Sequence, residues 1–225
     1  MRQKDRYYGD AARTYEQRRV GKAKWKREHA AVDALLADVP EGANVLDVPV
    51  GTGRFLELYQ EHGLRAVGVD VSTDMLELAR QRADELGLEV RLHEASATDL
   101  PLPDDSIDTT VCMRLVYSFT MDEVEEVLRE LKRVTTRDII LSDRHAFRLS
   151  EVPLRRAPRA IGRRGKRLVT NLNELRAGRR IKRYHREEDL RAVFERVELE
   201  VADRVPIERI EGLHDYGVWV LRSRV

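Results

Sequence analysis

The chain has 225 residues, 41 Lys plus Arg against 40 Asp plus Glu, and a net charge of +1, a length that points to one domain carrying a modest insertion. A single cysteine, Cys112, excludes a disulfide framework and a thiolate metal cluster, and the six histidines are scattered without paired carboxylates, so no metal is expected. No stretch approaches the roughly 18 consecutive apolar residues of a membrane span, which predicts a cytoplasmic protein.

Residues 10–37 are highly charged, with Ala31, Val32, Leu35 and Leu36 at helical spacing, and read as one or two helices packed on the domain edge. A buried strand near 44–48 follows, carrying Asp47 and running into a tight turn with Gly51 and Gly53, then a helix near 53–62. Glycines in such a turn take positive φ and let backbone N–H groups approach a ligand at a helix N-terminus. The next strand, 65–70, ends in Asp70, where an acid can accept both ribose hydroxyls. A dinucleotide fingerprint Gly-x-Gly-x-x-Gly would need a third glycine at 56, which is Leu56, and Asp47 would face a pyrophosphate. The loop suits a cationic ligand instead.

A helix over 73–86 is bounded by Ser72-Thr73-Asp74 as N-cap chemistry and by Gly87 as its stop. Strands are predicted near 88–93, 108–113 and 138–142, with a helix near 122–133 between the last two. From Arg144 to Arg183 fourteen Lys and Arg stand against two acids, Glu151 and Glu174, a net +12 that leaves −11 for the remainder. Such asymmetry points to an anionic partner or substrate. A helix near 186–195 and strands near 197–204 and 214–223 complete the chain. Alternating strands and helices imply right-handed crossovers and a parallel, doubly wound α/β sheet with helices on both faces. Ligands bind beyond the carboxyl ends of such strands, where Gly51, Asp70, Ser96, Arg114 and Asp143 converge.

Leu46-Asp-Val-Pro-Val-Gly-Thr-Gly53 resembles the first motif of class I S-adenosylmethionine-dependent methyltransferases of the small-molecule group. Gly68-Val-Asp-Val-Ser-x-x-Met-Leu76 resembles the second, and Ala95-Ser-Ala-Thr-Asp-Leu-Pro-Leu-Pro-Asp-Asp-Ser-Ile-Asp108 the third. The resemblance covers roughly residues 40–143 and implies a Rossmann-like, seven-stranded sheet, mostly parallel and finished by an antiparallel hairpin. It also implies S-adenosylmethionine as cofactor, bound by Asp47, Pro49, Gly51, Gly53, Asp70, Val71, Met75, Ser96, Ala97 and Arg114. Near the N-terminus, Tyr15 and Arg19 resemble a Tyr-x-x-x-Arg element that folds over the cofactor. Residues 1–225 then form a single domain, with 1–40 as a helical cap and 144–184 as a basic insertion covering the substrate.

Three positions depart from the family pattern. Pro49 replaces the first glycine and offers no N–H; Ser96 replaces an acid that would hold the adenine amino group; and Val134-Thr-Thr-Arg-Asp138 replaces a Lys-Pro-Gly-Gly turn.

Methyl transfer from a sulfonium is an in-line displacement with a neutral leaving group, so alignment and desolvation can carry it and a strong base is optional. Where a base is needed, His145 and Tyr117 are the candidates, since Tyr117 and Ser118 stand where related enzymes often carry a His pair. Tyr117 also reads as a packed aromatic, Ser118 as a helix-start residue and His145 as part of a solvated basic segment. Arg114 reads either as a partner for the cofactor carboxylate or an anionic substrate group, or as an ion pair with Asp47 or Asp143. Cys112 follows Val111 rather than a proline and reads as a buried small hydrophobe.

The basic segment suits an anionic small molecule or a lipid- or saccharide-linked intermediate. RNA is the alternative, although Phe147 is the one Phe, Trp or Tyr between Arg144 and Arg183 and nucleic-acid sites usually add stacking platforms. A third reading is a non-catalytic cofactor-binding partner protein, raised by Pro49 and Ser96.

Overall fold

The computed structural model describes residues 21–146, 185–210 and 214–224. In chain order its elements are α1 (Ala23–Leu36), β1 (Asn44–Asp47), α2 (Leu56–Glu61), β2 (Arg65–Asp70), α3 (Thr73–Leu86), β3 (Val90–Glu94) and β4 (Ile107–Cys112). After a 3-10 turn at Val116–Ser118 come α4 (Met121–Val134), β5 (Thr135–Ala146), α5 (Glu187–Arg196), β6 (Leu199–Ile210) and β7 (His214–Ser223).

The seven strands form one sheet in the order β3-β2-β1-β4-β5-β7-β6. Strands β1 to β5 pair in parallel, and β7 runs antiparallel to both β5 and β6. The chain therefore winds outward from β1 in two directions, and strand order reverses between β1 and β4, where a doubly wound sheet opens a crevice.

Local chemistry explains the boundaries. The Ser72 hydroxyl caps α3 by accepting the Met75 N–H at 3.3 Å, and Gly87 closes the helix in the left-handed region at φ 64°. Thr120 and Glu123 form a reciprocal capping box on α4: Thr120 N–H donates to Glu123 Oε2 at 2.7 Å, and Glu123 N–H donates to Thr120 Oγ1 at 3.3 Å. Three elements differ clearly from the sequence reading, one of them β6, expected near 197–204 and observed over Leu199–Ile210. The helix expected from residue 53 begins at Leu56, because the loop needs three more residues, Gly53, Arg54 and Phe55, to turn. Strand β5 is also longer than the expected 138–142, because it pairs with β4 along one edge and with β7 from Ile139 to Ala146 along the other.

Alternation along the strands divides the core between the two faces. Leu46, Ile139, Leu141, Trp219 and Leu221 pack with Val124, Val127, Leu128 and Leu131 of α4 and with Leu190, Val193 and Phe194 of α5. Val45, Val111, Ile140, Tyr216 and Val218 face the other way, toward Ala31, Val32 and Leu36 of α1 and Leu56, Leu58 and Tyr59 of α2. Cys112 sits on the α4 face without exposed surface, and burial pushes its thiol far above the ordinary range.

Leu131 is fully buried at the centre of the α4 face. Leu131→Ala is expected to lower the unfolding free energy by about 2–5 kcal/mol. Denaturant titration checks this, and a loss well under that range would mean that α4 carries little of the core.

Candidate functional site

The loop joining β1 to α2 begins with a cis Val48–Pro49 bond and turns through Gly51 at φ 55° and Gly53 at φ 74°. The two glycines do different work. A side chain at Gly51 would enter open space, on a residue that lines a cavity. At Gly53 it would meet Leu56 Cδ1 at 2.7 Å and the Ala79 backbone at 3.2 Å, so this glycine lets the loop close onto α3.

Asp70, at the tip of β2, ties the loop down. Its Oδ2 accepts the Gly51 N–H at 3.0 Å and its Oδ1 accepts the Ser72 N–H at 3.0 Å. Burial pushes its carboxyl up to about 6, and the Ser72, Gly51 and Val71 amides pull the other way. Asp47 lies deeper, only 2 % exposed, and Oδ2 has no hydrogen-bond partner among the described residues. Its carboxyl is pushed up to about 8, chiefly by burial and further by Asp70, with Tyr59 offsetting part of the shift.

The cavity opens beyond the carboxyl ends of β1, β2 and β4. Pro49, Gly51, Asp70, Val71, Met75 and Arg114, all expected at the cofactor site, line it together with Ser118. Ser96 and Ala97 are placed differently. The Ser96 hydroxyl is engaged locally, 2.8 Å from the Thr98 hydroxyl and accepting the Thr98 N–H at 3.2 Å, while Ala97 packs into the α4-face core. Tyr117 is buried, with the Arg144 guanidinium 5.1 Å from its ring centroid. The backbone of His145 lies in β5 opposite Asp215, and Tyr15 and Arg19 fall outside the described residues.

Trp25, Arg54, Phe55 and Met113 complete much of the wall, and none was expected. They surround a buried ionic cluster. Glu28 of α1, with no exposed surface, accepts from Arg54 Nη1 at 2.7 Å and from Arg114 Nη2 through the same carboxylate oxygen. The Arg54 guanidinium stacks 3.5 Å from the Trp25 ring centroid, and that of Arg114 lies 4.7 Å from it. Of the two readings of Arg114, the ion-pair reading named Asp47 or Asp143, and the structure pairs it with Glu28 instead; the Asp143 carboxylate lies 3.4 Å from His185 Nδ1. A sequence signal existed: Trp25 and Glu28 are three apart and share one helix face.

Arg114 adopts φ 65°, a region costly for a residue with a side chain, and its N–H donates to Ser142 Oγ at 2.7 Å. Among the described residues, no group of three His, Cys, Asp or Glu side chains is placed to hold a metal ion.

Burial pushes the Glu28 carboxyl up, but the two guanidiniums outweigh it and hold the group below its usual 4.5. A depressed carboxyl contributes stability that is present above the unfolded value and lost as pH falls through the folded one. Glu28→Gln is therefore expected to cost about 3–5 kcal/mol at neutral pH, because two arginines lose their buried counter-charge, and to lose less than wild type on acidification. Denaturant unfolding at neutral and acid pH checks both; equal stability at neutral pH would show the cluster to be energetically idle.

Residues 45–138 match the family described as "Methyltransferase domain". A phosphatidylethanolamine N-methyltransferase from Cereibacter sphaeroides is 42 % identical over 95 residues, 41 % of this chain and 45 % of that protein. A demethylmenaquinone methyltransferase from Thermus thermophilus is 37 % identical over 114 residues, 49 % of each. The chain thus spans about half the length of these relatives. Among solved structures, magnesium protoporphyrin IX methyltransferase from Synechocystis with bound S-adenosylhomocysteine superposes with a TM-score of 0.69 at 18 % identity, covering 97 % of both chains. The [4+2]-cyclase SpnF superposes at 0.67 and 16 % identity over 92 % of this chain and 86 % of its own, so at this distance the likeness speaks for architecture alone. With three motifs in order on the strand ends of this sheet, residues 45–138 are similar to the methyltransferase domains of S-adenosylmethionine-dependent enzymes.

Proposed function

We propose that this chain transfers a methyl group from S-adenosylmethionine to a small or lipid-linked organic acceptor bearing an anionic group. The observation that carries the reading is the cavity where strand order reverses, with Asp70 on one wall and the open side of Gly51 beside it. The donor set fits the cofactor. Asp70 keeps acceptor capacity beyond its backbone bonds, and behind the loop Asp47 has a buried carboxyl oxygen without a hydrogen-bond partner among the described residues. Trp25, Val71, Met75 and Phe55 provide apolar walls that exclude water.

When bound, S-adenosylmethionine supplies an electrophilic methyl group on a sulfonium. The chain's own part is to hold the two reactants in line and keep the space dry. Arg54 and Arg114 are already matched to Glu28 and act by fixing the wall. Tyr117 and His145 remain our proposed proton acceptors for an acceptor atom that must lose a proton.

The relatives are named for phosphatidylethanolamine and demethylmenaquinone, which supports an organic acceptor of small-molecule or lipid type. The basic stretch 144–183, with its +12 charge, supports an anionic one. No helix among the described residues is long and apolar enough to cross a membrane.

Cofactor affinity should fall as pH drops through about 6, where Asp70 takes up its proton and one oxygen becomes a donor. Asp70→Asn should bind about 1–3 kcal/mol more weakly and lose that pH dependence. Calorimetry with S-adenosylmethionine across the range tests both, and unchanged affinity in a folded variant would place the ribose elsewhere. Methyl-labelled cofactor incubated with fractionated extract should put label into small-molecule or lipid fractions. Apparent acceptor affinity should decline only shallowly with salt, whereas RNA would show a log–log slope of about one per phosphate contact.

A further inference from the structure

The segment between β4 and α4 brings Leu115 and Ser118 to the cavity wall, and it is tied toward β5 at both ends. At its start the Arg114 N–H donates to Ser142 Oγ at 2.7 Å. At its far end the Phe119 carbonyl lies 3.1 Å from His185 Nε2, and His185 Nδ1 lies 3.4 Å from Asp143 Oδ1. Ser142 and Asp143 are neighbours on β5 with no exposed surface, and His185 is buried as well.

Between these ties the 3-10 turn closes on itself. Ser118 N–H donates to the Leu115 carbonyl and Phe119 N–H to the Val116 carbonyl, each at 3.0 Å. Those bonds fix the turn's shape but not its place against the sheet. Its place comes from the core packing of Val116 and Phe119 and from the two ties.

The partners of His185 set where its hydrogens go. A carbonyl only accepts, so Nε2 carries a hydrogen toward Phe119. Nδ1 then faces a carboxylate in a buried site, which favours a second hydrogen there, an imidazolium with Asp143 as its counter-charge. At 3.4 Å that attraction is ionic more than directional, whereas the shorter Phe119 contact aims the ring. His185 also stands two residues beyond Arg183, the last residue of the basic stretch, and Asp143 directly precedes its first, Arg144. The chain on either side of that stretch is drawn together at this one pair.

We infer that His185 is a positioning residue for methyl transfer: held on Asp143, it grips the Phe119 carbonyl and sets where Leu115, Tyr117 and Ser118 stand beside the cavity. This rests on the methyltransferase reading above. His185 is not among the residues lining the cavity and acts through Phe119. In-line transfer is sensitive to small displacements of the wall that aligns the reactants, so a loosened turn costs rate without removing any group from the reaction.

NMR of the histidine ring in the wild-type chain tests the tie without any variant having to fold. Nε2 is expected to carry a hydrogen that exchanges slowly with solvent, and a bare Nε2 overturns the proposal. Two variants then separate the contacts, since a glutamine amide N–H reaches the place of Nε2 and an asparagine amide N–H that of Nδ1. His185→Asn should speed amide exchange at Ser118 and Phe119 several-fold, and His185→Gln should leave it near wild type, with β4 and α4 unchanged in both. Transfer of label from methyl-labelled S-adenosylmethionine, into whichever extract fraction the wild type labels, should fall several-fold in His185→Asn and be largely restored in His185→Gln. Calorimetry should find the same S-adenosylmethionine affinity in all three. Equal transfer by the two variants overturns the positioning role alone, because lost packing would affect both alike. A wild-type chain that labels no fraction overturns the methyltransferase reading and the role with it.

Discussion

Glu28 has no contact with water, yet it is ionised between two guanidiniums that come from opposite parts of the chain. Arg54 follows the glycine turn of the first motif, Arg114 follows the fourth strand, and Glu28 sits on the helix that precedes both. One carboxylate oxygen therefore ties α1, the β1–α2 loop and the end of β4 into a single wall. A charge pair this deep is costly to assemble, because each ion gives up its hydration, and its return comes only when all three partners are in place. That makes the arrangement nearly all-or-none. It also explains how Arg114 persists in a left-handed backbone conformation: Ser142 holds its amide and Glu28 holds its side chain.

The same wall separates two electrostatic neighbourhoods. Around the glycine loop, Asp47 and Asp70 are buried acids with raised pKa values, a setting that favours an incoming cation or hydroxyl donors. On the β5 side, Lys24 and Arg144 crowd one aromatic ring. Glu28 and its two arginines form part of the wall, one carboxylate set against two guanidiniums.

Much of this was legible from local signals. Alternating apolar strands, the Ser72 and Gly87 boundaries of α3, and the spacing of Gly51, Gly53 and Asp70 are encoded within a few residues of where they act, so the sheet and the loop emerge from the chain directly. The antiparallel finish came from the family resemblance rather than from pattern. The ionic cluster was not legible, because its pairings span 26 and 86 residues and depend on which helix face meets which strand end. Arg114 was singled out as an interruption in an apolar strand end, but its partner could not be chosen from sequence, because the acids near it in space are far from it along the chain. Ser96 shows how a motif position can mask a local role. Its position in the third motif suggested a ligand, whereas its hydroxyl is spent on Thr98, a short-range bond that serine makes readily in turns.

Cys112 has a consequence outside the active cavity. It is the one thiol in the chain, it lies in β4 near the middle of the sheet, and burial keeps it protonated well beyond neutral pH. A protonated, enclosed thiol does not react with electrophiles or oxidants while the sheet is intact. Reaction at this sulfur must await separation of β4 from its coverings, so the rate of thiol modification is a clock for core opening. Because one sulfur reports, that clock has a single hand: it counts excursions of the central sheet and is blind to movements of the cavity rim.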